Sequence, residues 1–530
     1  MNMRNQWLAL PLTGGLAAAL LTGCGTEAGD SADAEDSVVI GMSDDVLATD
    51  PGSGYDPGSW LLFNNVFQSL LSFPKGETEP QPEAAEKCGF TDKATKVYEC
   101  TLRDGLKFSN GNDLTSKDVK YSFDRMRAIK DAAGPAPMFP MLDRVETPNA
   151  RTVVFKLKKP DATFPSKIAS GAGSIVDHSA YDKGALREDG EAVGSGPYKL
   201  DSFSEDKAVF SVNPDYKGTA KVKNKGITLK FFHGDQKGLK KALLDHDVDV
   251  AYRGLAAGDI ADIEKTASKG SQGKDINIVE GSSAEVQHLV FNMKDPVAGK
   301  RGVRRAMAYL IDRDALVGEV YQDTATPLYS IVPAGIGTHT TPFFDTYGAR
   351  PQRAKAAEAL RADGVKGKVK LTLWSTPTRY GPATDQELKA VAGQLNDSGL
   401  FDAQVKSVAF GQYEKDIKAG KYGVYVKGWV PDYPDPDNFT QPFFGAGNVL
   451  DNHYENSAIT GRIIPGTAAQ RDRTKVGKQY ADLQHIVADE LPVLPVWQAK
   501  QYAVTNGDVY GLESCLDAST VFRFWEISKA

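Results

Sequence analysis

From Ser37 to the C terminus the chain alternates strand-like and helix-like stretches, and no long Gly/Ser/Pro-rich linker divides them. Apolar runs of strand length occur at Ser37–Met42, Thr152–Leu157, Ala208–Val212, Ile227–Phe232 and Val369–Trp374. Helical spacing appears over Trp60–Leu71, in the series Val303, Ala306, Met307, Leu310 and Ile311, and in Leu483, Ile486 and Val487 before Pro492 stops the helix. Strands and helices mixed in this way predict an α/β protein. Without flexible linkers its lobes must be joined by ordinary strands, which suits a hinged clamshell whose chain crosses between lobes more than once.

At 530 residues, 41% hydrophobic and 25% charged, the composition is that of a globular chain too long for one core, and it excludes a disordered chain, a collagen or a coiled coil. Lys and Arg number 62 against 69 Asp and Glu, a net charge of −7 with no basic tract. A nucleic-acid partner is therefore not expected.

The N terminus is distinctive. Trp7–Leu21 follows a lone Arg4, is short, and is broken by Pro11 and the Gly14-Gly15 pair, which predicts a secretory segment and not a spanning helix. Leu21-Thr22-Gly23-Cys24 resembles a bacterial lipobox, so Cys24 is the expected lipidation site and residues 1–23 the signal peptide. Residues 24–37 are acidic, small and nearly free of large apolar side chains, a solvated tether reaching at most about 40 Å. The expected location is the outer face of the cell membrane, held by acyl chains.

Three of the four cysteines remain beyond Cys24. Cys88 and Cys100 flank a strand, a turn around Thr91-Asp92-Lys93 and a returning strand, which predicts a disulfide in an oxidising compartment and leaves Cys515 as a buried free thiol.

Catalytic motifs find no match. There is no P-loop, no His-Glu-x-x-His, no Gly-x-Ser-x-Gly, and no third glycine after Gly194-Ser-Gly196 or Gly445-Ala-Gly447. The seven histidines are scattered, with no pair at metal-ligand spacing, so no metal, no cofactor and no enzyme activity are expected.

Several segments, in order, resemble the extracellular solute-binding proteins of ABC importers, family 5, which includes peptide- and nickel-binding members. They are Thr101–Arg125, Gly194-Ser-Gly-Pro-Tyr-Lys199, Asn213-Pro-Asp-Tyr216, Leu289-Val-Phe-Asn292, Val303–Arg313, Gly428-Trp-Val-Pro-Asp-Tyr-Pro-Asp-Pro436 and Asp489–Pro495. On their own chemistry most of these are scaffold. Lys107–Asn112 predicts a strand ending in an Asn-Gly turn, Thr115-Ser-Lys-Asp118 a capping box for the helix from Val119 to Met126, and Gly194–Pro197 a tight loop needing positive φ.

The resemblance implies a two-lobed, periplasmic-binding-protein-like clamshell of the large type, with an extra subdomain inserted in lobe I. Lobe I would comprise 38–58, 180–284 and 490–530, the insertion 59–179 and lobe II 285–489, with crossovers just before Phe291-Asn292 and near Pro492.

Gly428–Pro436 follows the strand Tyr422–Lys427, at a strand end where α/β folds place ligands. The resemblance makes Asp432 the partner of a ligand α-ammonium, the alternative being a turn-forming residue before Pro434. It makes Arg379, in the loop after Trp374, the partner of a ligand carboxylate, the alternative being an exposed loop arginine. Tyr55, in the loop Asp50–Pro57, is the contact expected from the other side. Gly428 belongs to the same ligand segment, and Trp429 either lines the pocket or fills the lobe II core.

Together these readings predict a monomeric, lipid-anchored subunit that captures short peptides between two lobes and delivers them to ABC permease subunits. The rivals are an oligosaccharide, an opine or other amine, or a nickel complex as ligand, and a lipid-anchored enzyme or sensor on the same fold.

Overall fold

Two long strands, Ile276–Phe291 and Val493–Asn506, run antiparallel along each other and form the spine of one mixed sheet of eleven strands. The structure, a computed structural model, describes residues 37–268, 276–377, 379–381 and 383–530. Cys24, the signal segment and most of the tether lie outside the described residues. Among those described, no helix is long and apolar enough to cross a membrane.

The spine strands stay paired with each other along both halves, while their outer neighbours differ from one half to the other. Ile276–Ser282 pairs with Lys500–Asn506, and Val286–Val290 pairs with Val493–Gln498, with a register break between Ser282 and Val286. Such a break bends a strand and redirects its side chains. Beyond Val493–Asn506 the sheet continues through Val250–Tyr252, Ser37–Met42, Gly226–Phe231, Lys207–Val212 and Tyr198–Phe203. Beyond Ile276–Phe291 it continues through Val424–Trp429, Val369–Ser375 and Phe401–Ser407, and the eleventh strand, Ala325–Pro327, pairs with Trp497–Ala499.

The core follows the same division. Val38, Ile40, Ile227, Leu229 and Val250 pack with Phe522 and Phe524 in one cluster, and Leu289, Phe291, Val303, Met307, Leu373 and Val426 pack in a second. A third cluster is built on a separate four-stranded sheet, in the order Ala85–Phe90, Val97–Leu102, Thr152–Leu157 and Leu142–Asn149, under the helix Ser116–Ile129. The Val97–Leu102 strand buries every second residue, as one covered sheet face requires. The helix Ser116–Ile129 starts with the capping box of Thr115 and Asp118.

Cys88 stands opposite Cys100 in this sheet, Cα atoms 4.1 Å apart, and the two are disulfide-bonded. Cys515 is a buried free thiol whose pKa burial pushes up to about 12.

The structure departs from the sequence reading in four places. Leu491–Trp497, expected with lobe I, packs in the second cluster, because its strand stays beside Val286–Val290 until Gln498. Residues 59–67, expected in the insertion, belong to the helix Pro57–Val66 and its C-cap, and their buried face of Leu61, Leu62, Phe63, Val66 and Phe67 joins the first cluster. Lys107–Asn112 forms only a single bridge between Lys107 and Asp113. Gly194 and Gly196 do not take positive φ. They are glycine because the loop lies on the end of the helix Pro57–Val66: a Cβ at Gly194 would sit 2.1 Å from Val66 O, and Gly196 N–H donates to that same carbonyl (2.8 Å).

Candidate functional site

The loop that opens the chain after Ser37–Met42 is fixed before it reaches the cleft. Asp50 is buried and receives two hydrogen bonds from the Arg125 guanidinium (2.8 and 2.6 Å) and one from Arg187 N (2.7 Å). Asp56 then caps the helix Pro57–Val66, accepting from Ser59 N (2.8 Å) and Ser59 Oγ (2.7 Å). Between these two anchors the side chain of Tyr55 projects, its ring 5.5 Å from that of Trp60.

Tyr55 Oη donates to Asp432 Oδ1 at 2.6 Å. Asp432 lies just after the strand Val424–Trp429 and is held from its own side by Asn438. The Asn438 Nδ2 donates to Asp432 Oδ2 (3.0 Å), and Asn438 Oδ1 accepts from Asp432 N (3.0 Å) and from Trp429 Nε1 (2.8 Å). Burial raises the Asp432 carboxyl above its ordinary value, against the hydrogen bonds from Asn438 and Tyr55. A carboxylate in this position gains from a cationic partner.

Tyr55, Arg379, Gly428, Trp429 and Asp432 all line one cavity of about 200 Å³. Arg379 is exposed, with its guanidinium 5.4 Å from the Phe410 ring centre and no ion-pair partner among the described residues. Trp429 lines the cavity and also packs edge-on against Phe443 of the second core cluster (5.1 Å). Gly428 leaves room for Tyr380, whose ring carbon would stand 3.0 Å from a Cβ at that position.

The strand end itself offers backbone. Gly428 and Trp429 pair with Gln287 and Val286 on one side. On the other, Val424–Trp429 meets Val369–Ser375 only at Val424 and Tyr425, and the Val426 N–H and C=O are taken by Tyr413 Oη (2.9 Å each), so the strand's end at Gly428 and Trp429 is the part with no strand partner on that edge among the described residues. Such an edge accepts an extended chain through main-chain hydrogen bonds, with no demand on its side chains.

A second cavity of about 360 Å³ shares Tyr252, Arg253, Ser283, Glu285, Tyr380 and Gln501 with the first. Sequence reasoning missed these residues. Arg253 turns out of the strand Val250–Tyr252 in left-handed backbone (φ 48°) and donates through Nε to Asp44 Oδ2 (2.5 Å). Glu285 sits inside the register break of the spine strand. Burial raises its carboxyl, Asp44 adds to that, and Arg253 and Arg379 oppose it. Asp435, the other acid of the Gly428–Pro436 segment, is structural: it caps the short turn at Pro436–Phe439 and binds the Arg473 guanidinium (2.8 and 2.6 Å).

Over residues 79–451 the sequence matches the bacterial extracellular solute-binding proteins, family 5 Middle. It is 25% identical over 513 residues to a probable D,D-dipeptide-binding periplasmic protein of Escherichia coli K12, covering 93% of this chain and 95% of that one. A dipeptide-binding protein of the same organism is 25% identical over 488 residues, covering 87% and 88%. Among solved structures, an ABC transporter-associated periplasmic binding protein from Helicobacter pylori, in complex with the peptide STSA, superimposes with a TM-score of 0.76 at 21% identity over 93% of this chain and 98% of its own. The mixed α/β fold is thus that of the periplasmic binding proteins, and the chain belongs to the bacterial extracellular solute-binding proteins of family 5.

Proposed function

We propose that this protein is the substrate-binding subunit of an ABC importer, that it captures short peptides in the cleft between two lobes, and that it hands them to a membrane permease. Family 5 proteins bind transport substrates and are not enzymes. The observation that carries the peptide reading is the hydrogen bond from Tyr55 to Asp432 in a cavity that Arg379 also lines. A carboxylate, a guanidinium and an unpaired strand edge match the ammonium, carboxylate and amide groups of a peptide. The relatives named for dipeptides and the neighbour solved with a bound peptide support the same ligand class.

In this reading Asp432 takes the ligand α-ammonium, Arg379 its carboxylate, and Tyr55, Gly428 and Trp429 the space between. The lobes turn about the register break at Ser282–Val286 and the facing segment Gln498–Lys500, where the outer neighbours of the spine strands change. The protein acts as a monomer, anchored by lipid on Cys24 at the outer face of the cell membrane, and its closed form is the one the permease recognises. Native mass spectrometry of the purified protein tests the ligand class. Co-purified peptides are the expected result; a co-purified sugar, opine or nickel chelate overturns it.

A further inference from the structure

The charged side chains around the two cavities can be accounted for one by one. Arg253 is ion-paired with Asp44 (2.5 Å), and Lys500 with Glu280 (3.1 Å). Asp56 is engaged by the N terminus of the helix it caps, through Ser59. With Asp56 engaged in this way, three further charges have no ion pair among the described residues: Asp432, on which Lys167 acts only from farther off, Arg379, and Glu285, on which Arg253 and Arg379 act only from farther off. Two are negative and one is positive.

A dipeptide or tripeptide with uncharged side chains supplies one ammonium and one carboxylate. Those match Asp432 and Arg379 and leave Glu285, which Arg253 favours only from a distance, without an ion pair of its own. No described residue donates a hydrogen bond to the Glu285 carboxylate, and only its backbone N–H is bound, to Ser283 Oγ (3.0 Å). Glu285 lies where the register break turns the spine strand and forms part of the wall common to both cavities, so it borders the space a ligand side chain would enter. The surrounding surface suits the stem of a long side chain: Tyr252, Tyr321, Tyr380 and Trp497 line the larger cavity. Enclosing an unpaired carboxylate is costly, whereas enclosing it with a cation offsets much of that cost.

We propose that the preferred ligand is a short peptide with a basic side chain of the lysine or arginine type, and that Glu285 receives its ammonium or guanidinium group. The inference rests on the peptide reading above. It makes Glu285 a specificity-determining residue, and it makes the larger cavity the chamber for that side chain.

The test is calorimetric titration of the purified full chain with Ala-Lys-Ala and with Ala-norleucine-Ala, which keeps the aliphatic stem and removes the charge. The wild-type protein is expected to bind the lysine peptide roughly 10- to 100-fold more tightly, as a hydrogen bond to a charged group implies. In Glu285→Gln that ratio should fall close to one, with a thermal melt showing that the variant is folded. Equal wild-type affinity for the two peptides overturns the inference and leaves the peptide reading standing, without recourse to the variant. A folded Glu285→Gln that weakens both peptides equally also overturns it, since Glu285 would then read the main chain. Failure of both peptides to bind overturns the inference together with the reading beneath it.

Discussion

Tyr55 and Asp432, 377 positions apart in sequence, share a hydrogen bond of 2.6 Å, and the tyrosine is placed for it by two carboxylates of its own loop, Asp50 and Asp56. The bond is made by a hydroxyl and brings no positive charge to Asp432, which Lys167, itself ion-paired with Asp161, favours only from a distance. Tyr55→Phe should therefore weaken peptide binding by only about three- to tenfold, the worth of one ordinary hydrogen bond. Calorimetric titration against the wild-type protein measures it, and a loss as large as that from removing the Asp432 charge would make Tyr55 the primary ligand group instead.

Asp50 and Arg125 are both almost fully buried, at 1% and 2% exposure, and the pair carries the Tyr55 loop. Removing one member of such a pair leaves an uncompensated charge, at a cost of about 3–5 kcal/mol. Asp50→Asn should lower the urea midpoint correspondingly. It should also weaken peptide binding in the folded variant, because the loop loses its anchor.

Glu387 is fully buried, with Oε2 accepting from Tyr321 Oη (2.5 Å), Trp497 Nε1 (3.0 Å) and Gln287 Nε2, and with no cation beside it. Burial pushes its carboxyl up to about 7, although those three donors oppose the shift. A carboxyl raised on folding binds its proton more tightly in the native state. Its contribution to stability is thus fully present below about pH 4 and is lost as the pH rises through 7, at most about 3 kcal/mol in all. Urea midpoints measured from pH 4 to 8 should fall across this range in the wild-type protein and fall less in Glu387→Gln. The amide oxygen keeps an acceptor for Tyr321 Oη, Trp497 Nε1 and Gln287 Nε2. Parallel profiles for the two proteins would contradict the assignment.

The sequence made much of this legible, for identifiable reasons. Apolar runs of strand length such as Ser37–Met42 and Thr152–Leu157 are strands in the structure because their side chains are buried whichever neighbour they take. Asp432, Gly428 and Trp429 in the segment Gly428–Pro436, and Arg379 and Tyr55 in two other loops singled out by resemblance, all line one cavity. What the sequence hid depends on pairing. The strand Val493–Asn506 begins inside a segment recognisable by resemblance, but nothing in that segment says which flank of the sheet it joins. Glu285 lines both cavities from within the register break between Ser282 and Val286, and Ser-Ser-Ala-Glu carries no sign of that break. Gly194 and Gly196 were recognised as constrained, yet the constraint is the carbonyl of Val66 and not the backbone angle.

In the proposed function Asp432 holds the α-ammonium of a peptide. The most direct measurement is calorimetric titration of the wild-type protein and Asp432→Asn with Ala-Lys-Ala and with the same peptide acetylated on its α-amine. The account predicts that acetylation weakens binding to the wild-type protein by roughly 100-fold, as loss of an enclosed charge pair requires, and that Asp432→Asn no longer distinguishes the two peptides. Equal binding of the free and acetylated peptides by the wild-type protein would contradict it.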